Sequence, residues 1–401
     1  MEHKKTTNQS AWSVFLIFLR LGLTSFGGPV AHLGYFRDEF VIRRQWLTEK
    51  NYADLVALCQ FLPGPASSQV GLALGISQAG YLGAFAAWLG FTLPSAFMLV
   101  GFALGIAHHG DMMPLGVLHG LKVVAVAVVA QAVWGMACNL CPDRQRVSLM
   151  ACSACGMLFF TSVWAQVGVI ICAGLVGMLM VRPTTCVVHN PMSISISRRT
   201  GGIWILLFIV LLVVLPTLTQ LLSEQWLAMV DSFYRAGALV FGGGHVVLPL
   251  LQAEVVPSGW VTNEAFLAGY GAAQAVPGPL FTFAAYLGAS MTQSPTGWLG
   301  GILCLIAIFI PSFLLVAGAL PFWEQLRANA KVQAALTGIN ASVVGLLLAA
   351  LYQPVWSSAI QQPQDFAVAL VAFIALMFWK LPPWLVVLSC GLIGWLLNIA
   401  L

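Results

Sequence analysis

The sequence predicts an all-α polytopic membrane protein made of two inverted-topology repeats with broken, re-entrant helices. Three observations carry that prediction. Of 401 residues, 60% are hydrophobic and 7% charged, whereas a soluble domain carries roughly 25% charged residues. A set of glycine, proline and arginine motifs occurs twice, about 215 residues apart, and internal repeats with helix breakers at matched places mark transporters that work across a repeat interface. The lysines and arginines of matched loops change sides, which reads as opposite membrane orientation.

The repeated words are specific. Phe18-Leu19-Arg20 followed by Phe26-Gly27-Gly28-Pro29 returns as Phe233-Tyr234-Arg235 followed by Phe241-Gly242-Gly243-Gly244. Trp46-Leu47-Thr48 returns as Trp260-Val261-Thr262, Gln60 as Gln274, Pro63-Gly64-Pro65 as Pro277-Gly278-Pro279, Leu82-Gly83 as Leu299-Gly300 and Pro94-Ser95 as Pro311-Ser312. The chain therefore divides into repeat one (11–181), a linker with one transmembrane helix (182–225) and repeat two (226–401).

Each repeat reads as a segment broken at the Gly-Gly motif, an amphipathic stretch, a second break at Pro-Gly-Pro, two long helices and a final pair. The runs Leu82 to Ile106, Leu115 to Ala137, Ile203 to Leu222, Gly297 to Leu320 and Val332 to Leu351 approach or exceed the roughly 20 apolar residues that span a bilayer. The Pro-Gly-Pro segments have only about a dozen residues on either side, too few for two spans, and read as re-entrant hairpins. Pro382-Pro383 breaks the last pair, and Cys186 to Thr200 is the polar linker. Lys4 and Lys5 before the apolar run from Ala11 look like a signal peptide, but Arg20 interrupts that run and the segment recurs at Phe233, so it reads as mature structure.

Loop charges set the orientation. Arg37, Arg43, Arg44 and Lys50 follow the first Gly-Gly break, whereas Gln252, Ser258, Gly259 and Glu264 occupy the matched stretch of repeat two. His108 to Asp111 joins the long helices of repeat one, where repeat two has Arg327 and Lys331. Arg144 and Arg146 follow the second long helix, against Gln353 to Asp365 with no Lys or Arg. Three loops out of three swap sign. The net charge of +4 is too small and too dispersed for nucleic acid binding.

Among nine cysteines, Cys138-x-x-Cys141 and Cys152-x-x-Cys155 have zinc-pair spacing. The second pair lies in an apolar run and no histidine accompanies either, so they read as small residues packing in lipid. His108, His109, Asp111 and His119 read as a solvated loop cluster. No metal or other cofactor is expected.

The expected chemistry lies at the breaks. There a following half-helix exposes unpaired N–H groups and the positive end of its dipole, and glycine lets a ligand reach the backbone. Candidate substrate-binding residues are Gly27, Gly28, Pro29, Pro63, Gly64 and Pro65, with Gln60 and Ser67 beside them. In repeat two they are Gly242, Gly243, Gly244, His245, Pro277, Gly278 and Pro279, with Gln274 and Thr282. Arg20 and Arg235 sit about nine residues into apolar segments, where a charge costs about 2.5–3.5 kcal/mol on insertion scales, and are expected to supply positive charge to an anion path. Lys122 and its match Asn340 are read as pathway lining or as interface residues. Ser-His-Asp sets and paired carboxylates are absent from the pattern, which argues against an enzyme.

Phe-Gly-Gly-Pro at 26–29, Gln-Phe-Leu-Pro-Gly-Pro at 60–65, Phe-Gly-Gly-Gly-His at 241–245 and Gln-Ala-Val-Pro-Gly-Pro at 274–279 resemble the long-chain members of the chromate ion transporter family, over nearly the whole chain. The resemblance implies a multi-pass protein of the bacterial inner membrane that exports chromate and confers resistance, with sulfate as an analogue. The residues alone reach only "anion transporter", and leave open an oxyanion permease or exchanger, or a lipid-phosphate flippase or membrane enzyme.

One consequence is directly testable. A reporter fused within 38–50 should lie in the cytoplasm and one within 255–264 in the periplasm. Both reporting the same side would refute the inverted arrangement.

Overall fold

The structure, a computed structural model, describes residues 9–109, 115–160, 163–180, 196–241 and 244–400. Repeat one contributes α1 (Ala11–Thr24), α2 (Gly28–Arg37), α3 (Glu49–Phe61), α4 (Ala66–His109), α5 (Leu115–Leu140), α6 (Arg144–Phe159) and α7 (Val163–Met180). The linker helix is α8 (Arg198–Leu222). Repeat two follows with α9 (Gln225–Leu239), α10 (Val247–Val255), α11 (Asn263–Ala273), α12 (Phe283–Ala289), α13 (Gly297–Ala319), the short α14 (Trp323–Ala328), α15 (Ala330–Ala350), the single turn α16 (Ser357–Ala359), α17 (Pro363–Met377) and α18 (Pro383–Ala400). Lys4, Lys5, the loop at 110–114, residues 182–195 of the linker and the Gly242-Gly243 pair lie outside the described residues.

Local chemistry explains the boundaries. Ser10 caps α1, Thr48 caps α3 and Thr262 caps α11 through side-chain oxygens that accept N–H groups of the first turn. Gly27, at φ 98°, starts α2 from a left-handed conformation that any side chain would strain. The run of α4 is two helices: Ala79 and Gly80 leave helical geometry, with Gly80 at φ 61°. In repeat two the same corner opens into the loop between α12 and α13.

Five helices among the described residues are long and apolar enough to cross a membrane: Ala66–Ala107, Gly116–Leu140, Arg198–Leu222, Gly297–Phe322 and Ala330–Ala359. Each contains, to within one residue at the start, one of the five apolar runs read from the sequence. α8 buries little of itself and presents Ile203, Leu206, Val213 and Leu221 outward, as a lipid-facing helix does.

The repeats pack by exchange. α1 lies along α4 and α9 along α13, but α5 is held by α17 and α18 of the other repeat, while α15 is held by α6 and α7. Glycine makes both clasps possible. A Cβ at Gly116 or Gly120 would strike the backbone of Gly394 or Cys390, and one at Gly338 would strike that of Ala173 and Gly177, the close approach that small residues permit between membrane helices.

The loops poor in Lys and Arg gather at one end. Thr262 and Glu264, Gln361 to Asp365, and Ile106 with Gly116 surround the first turns of α5, about 39 Å from its far end at 1.5 Å per residue. Arg146 lies at that far end, beside Gly177 and Gly338.

Replacing Gly116 or Gly338 with leucine should sharply lower the amount of folded protein. Gly101→Leu and Gly105→Leu, where a Cβ meets nothing within 4 Å, should be tolerated. Fluorescence-detected size exclusion of detergent extracts checks both outcomes.

Candidate functional site

The two Pro-Gly-Pro turns and the described residues that flank the two Gly-Gly motifs meet at one place, and they meet across the repeats. The Gly64 N–H donates to the Val240 carbonyl at 2.6 Å, and the Gly278 N–H donates to the Ser25 carbonyl at 2.9 Å. Val240 and Ser25 are matched residues just before the two Gly-Gly motifs. Each Pro-Gly-Pro turn is therefore tied to the other repeat's Gly-Gly break.

The side chains around the turns repeat the crossing. A Cβ on Gly64 would lie 2.5 Å from Ser312 Oγ, and one on Gly278 would lie 2.8 Å from Ser95 Oγ. Ser95 and Ser312 are the matched serines after Pro94 and Pro311. Gly64 and Gly278 have φ of 125° and 100°, so both space and backbone demand glycine. Pro29 approaches Gly244 in the same way, and a Cβ on Gly28 would lie 3.8 Å from His245 Nε2. Gly242 and Gly243 lie outside the described residues.

The knot is rich in polar atoms without partners. Ser25 Oγ, His32 Nε2, Ser68 Oγ, Gln69 Oε1, Thr92 Oγ1 and Ser312 Oγ are buried and bond to no other group. Buried polar groups are normally satisfied by protein or water, so this concentration marks a place that water or a polar ligand fills. Gln69 Nε2 donates to the Pro63 carbonyl at 2.6 Å and braces the first turn. Thr282 is buried and donates to the Pro279 carbonyl at 2.7 Å, which braces the second. His245 Nδ1 shares a 2.9 Å hydrogen bond with Tyr270.

His32 is the residue that the sequence reading missed. It is buried on α2, three positions after Pro29, with Nδ1 3.4 Å from Ser67 Oγ and its ring edge-on to Phe91. Its match in repeat two is Val247, so a search for residues kept in both copies passes over it.

Other expected residues fall elsewhere. Arg20 and Gln60 are exposed. Arg20 stands on the outward stripe of α1 with Trp12, Leu16 and Leu23, where a long side chain reaches toward the membrane interface. Arg235 is half-buried and already engaged: Nη2 lies 2.9 Å from Asp231 and 3.1 Å from Glu254, whose other oxygen accepts from Ser232 at 2.9 Å. The two arginines thus have different surroundings. Glu254 ties α10 to α9 across the second Gly-Gly break. Its match Glu39 pairs with Arg43 and Arg44 instead. Gln274 is half-buried with Nε2 unpartnered, and Asn340 leaves Oδ1 unpartnered.

Lys122 lines a cavity of about 580 Å³ with His119, Glu264 and Asp365. His119 belongs to that cavity, where its Nε2 is 2.6 Å from Asp365, and is no part of a solvated loop. His108, His109 and Asp111 lie outside what is described of side chains. Among the described residues, no three His, Cys, Asp or Glu side chains converge as a metal site.

The family model described as chromate transporter matches residues 12–178 and again 227–395. The chain belongs to the chromate transporter family. It is 30% identical over 412 residues to a chromate transport protein of Pseudomonas aeruginosa, covering 96% of this chain and 91% of that protein. It is 29% identical over 353 residues to an uncharacterised transporter of Methanocaldococcus jannaschii, covering 86% and 85%. An uncharacterised transporter of Bacillus subtilis is 28% identical over 167 residues, 41% of this chain but 92% of that protein, so the match spans one repeat. No solved structure matches this chromate transporter family member.

The buried ion pair gives a prediction. Glu254→Ala removes the tie from α9 to α10 while Arg235 keeps Asp231, and should cost about 1.5–3 kcal/mol, the loss of a hydrogen bond to a charged group. Glu39→Ala removes a carboxylate whose arginine partners reach solvent, and should cost about 1 kcal/mol or less. Thermal unfolding of the detergent-purified chain should show a clear drop in midpoint for the first variant only.

Proposed function

We propose that this chain exports chromate from the cytoplasm across the bacterial inner membrane, conferring chromate resistance, and that the anion passes through the knot of four breaks. The observation that carries the reading is the crossed pair of hydrogen bonds at Gly64 and Gly278. They put both Pro-Gly-Pro turns, both Gly-Gly breaks and a set of unpartnered hydroxyls at the interface of two inverted repeats, where transporters of this architecture bind substrate.

The chemistry suits a tetrahedral oxyanion. Helix starts and hydroxyls donate hydrogen bonds, and bonds to a charged acceptor are about twice as strong as neutral ones. Sulfate, a dianion of the same shape, is the natural competitor. Direction follows from voltage: moving two negative charges outward gains about 4.6 kcal/mol per 100 mV, at about 2.3 kcal/mol per charge. That corresponds to roughly three decades of concentration ratio.

Cells expressing the protein should accumulate less chromate without converting it to Cr(III). In proteoliposomes, chromate flux should rise with an imposed potential that is negative on the side of origin. Gly64→Ala and Gly278→Ala should lose flux per folded molecule, whereas Gly101→Leu should retain it. Equal specific activity in all of these variants, or reduction of chromate by isolated membranes, would overturn the assignment.

A further inference from the structure

Duplication makes two break sites, yet only one is furnished to hold an anion. Around the first repeat's breaks stand Ser25, His32, Ser67 and Gln69. At the matched positions of the second repeat stand Val240, Val247, Phe281 and Phe283. Ser68 and Thr282, like Ser95 and Ser312, are polar in both repeats, and Thr282 gives its hydroxyl proton to the Pro279 carbonyl. The polar set is buried, with His32 1% and Ser25 0% exposed, and its unpartnered atoms include Ser25 Oγ, His32 Nε2 and Ser68 Oγ. The apolar set is buried too, and its members belong to one continuous hydrophobic core.

From this asymmetry we infer that the chain holds one oxyanion at a time, in the first repeat's half of the knot, with His32 as a neutral donor that selects it. This rests on the transport reading above and adds the number of sites and the residue that sets them. His32 sits in the second turn of α2 and faces the Ser25 main chain. Its Nδ1 meets Ser67 Oγ; when the serine donates, the ring proton is on Nε2, the atom without a partner. In that tautomer Nε2 is a buried N–H that makes no hydrogen bond of its own, close to the Ser25 main chain and a serine hydroxyl, and it matches an oxygen of a tetrahedral anion. Gln69 has one of its two amide N–H groups held by the Pro63 carbonyl, which fixes the side chain beside the turn.

The second repeat has a different part. His245 leans on Tyr270 through Nδ1, while its Nε2 faces Gly28 of the first repeat. The second repeat thus closes the first repeat's site and fills its own with valine and phenylalanine.

The test is equilibrium binding of radiolabelled chromate to the full chain, purified in detergent, with the second repeat's own residue placed in the first. The unaltered protein should bind one chromate per chain. His32→Val should weaken binding roughly 10- to 100-fold, the loss expected for one hydrogen bond to a charged group. His32→Gln, which keeps a neutral donor, should recover part of it, and Val247→Ala should bind as the unaltered chain does. Two chromates per chain, full binding by His32→Val, or equal weakening by Val247→Ala would overturn the inference while leaving transport standing. Absence of binding by the unaltered protein would overturn both.

Discussion

Two backbone hydrogen bonds, Gly64 to Val240 and Gly278 to Ser25, are the constraint on which the rest of the molecule depends. A helix break inside a membrane leaves N–H and carbonyl groups without partners, and irregular backbone at that depth persists only where protein or a water-lined cavity satisfies it. Here each repeat satisfies the other. The Pro-Gly-Pro turn supplies the donor and the residue before the opposite Gly-Gly motif supplies the acceptor. Neither broken segment is complete within its own repeat, so the knot forms only when the inverted copies meet.

The same logic governs the periphery. Each repeat's second long helix is clasped by the final pair of the other, and glycines at 116, 120 and 338 bring the helices to backbone contact. Lipid offers no hydrophobic drive for helix association, so close van der Waals contact of this kind must supply it. The hairpin corners use the device within a repeat: Gly75 meets Gly83, and Gly288 meets Gly300. Substitution at Gly83 or Gly300 would therefore damage packing before it touched any ligand.

Much of the fold was legible because membrane helices announce themselves by length and composition, and breaks by glycine and proline. All five long apolar runs became spanning-length helices, and the pairs of breaks converged as the repeat pattern implied. The chemistry was less legible, because matching the two copies favours what they share. Arg20 and Arg235 share sequence context, but the residues four positions before them differ: Leu16 faces outward, whereas Asp231 pairs with its arginine. His32 has no polar counterpart and so left no signal in the repeat. Its clue was local, a histidine four residues into the helix that follows a glycine break.

The divergence of the copies also fits the energetics of export. A dianion held by two buried arginines would gain so much on binding that release would limit the cycle, because translocation needs a site favourable enough to enter and weak enough to leave. In the structure Arg235 is balanced by two carboxylates and Arg20 faces outward. What remains at the breaks is hydroxyl, imidazole and helix-start N–H, donors without full charge. Under the proposed function, the membrane potential supplies the outward drive, about 4.6 kcal/mol per 100 mV for two charges, and the binding site need only replace the hydration of the anion.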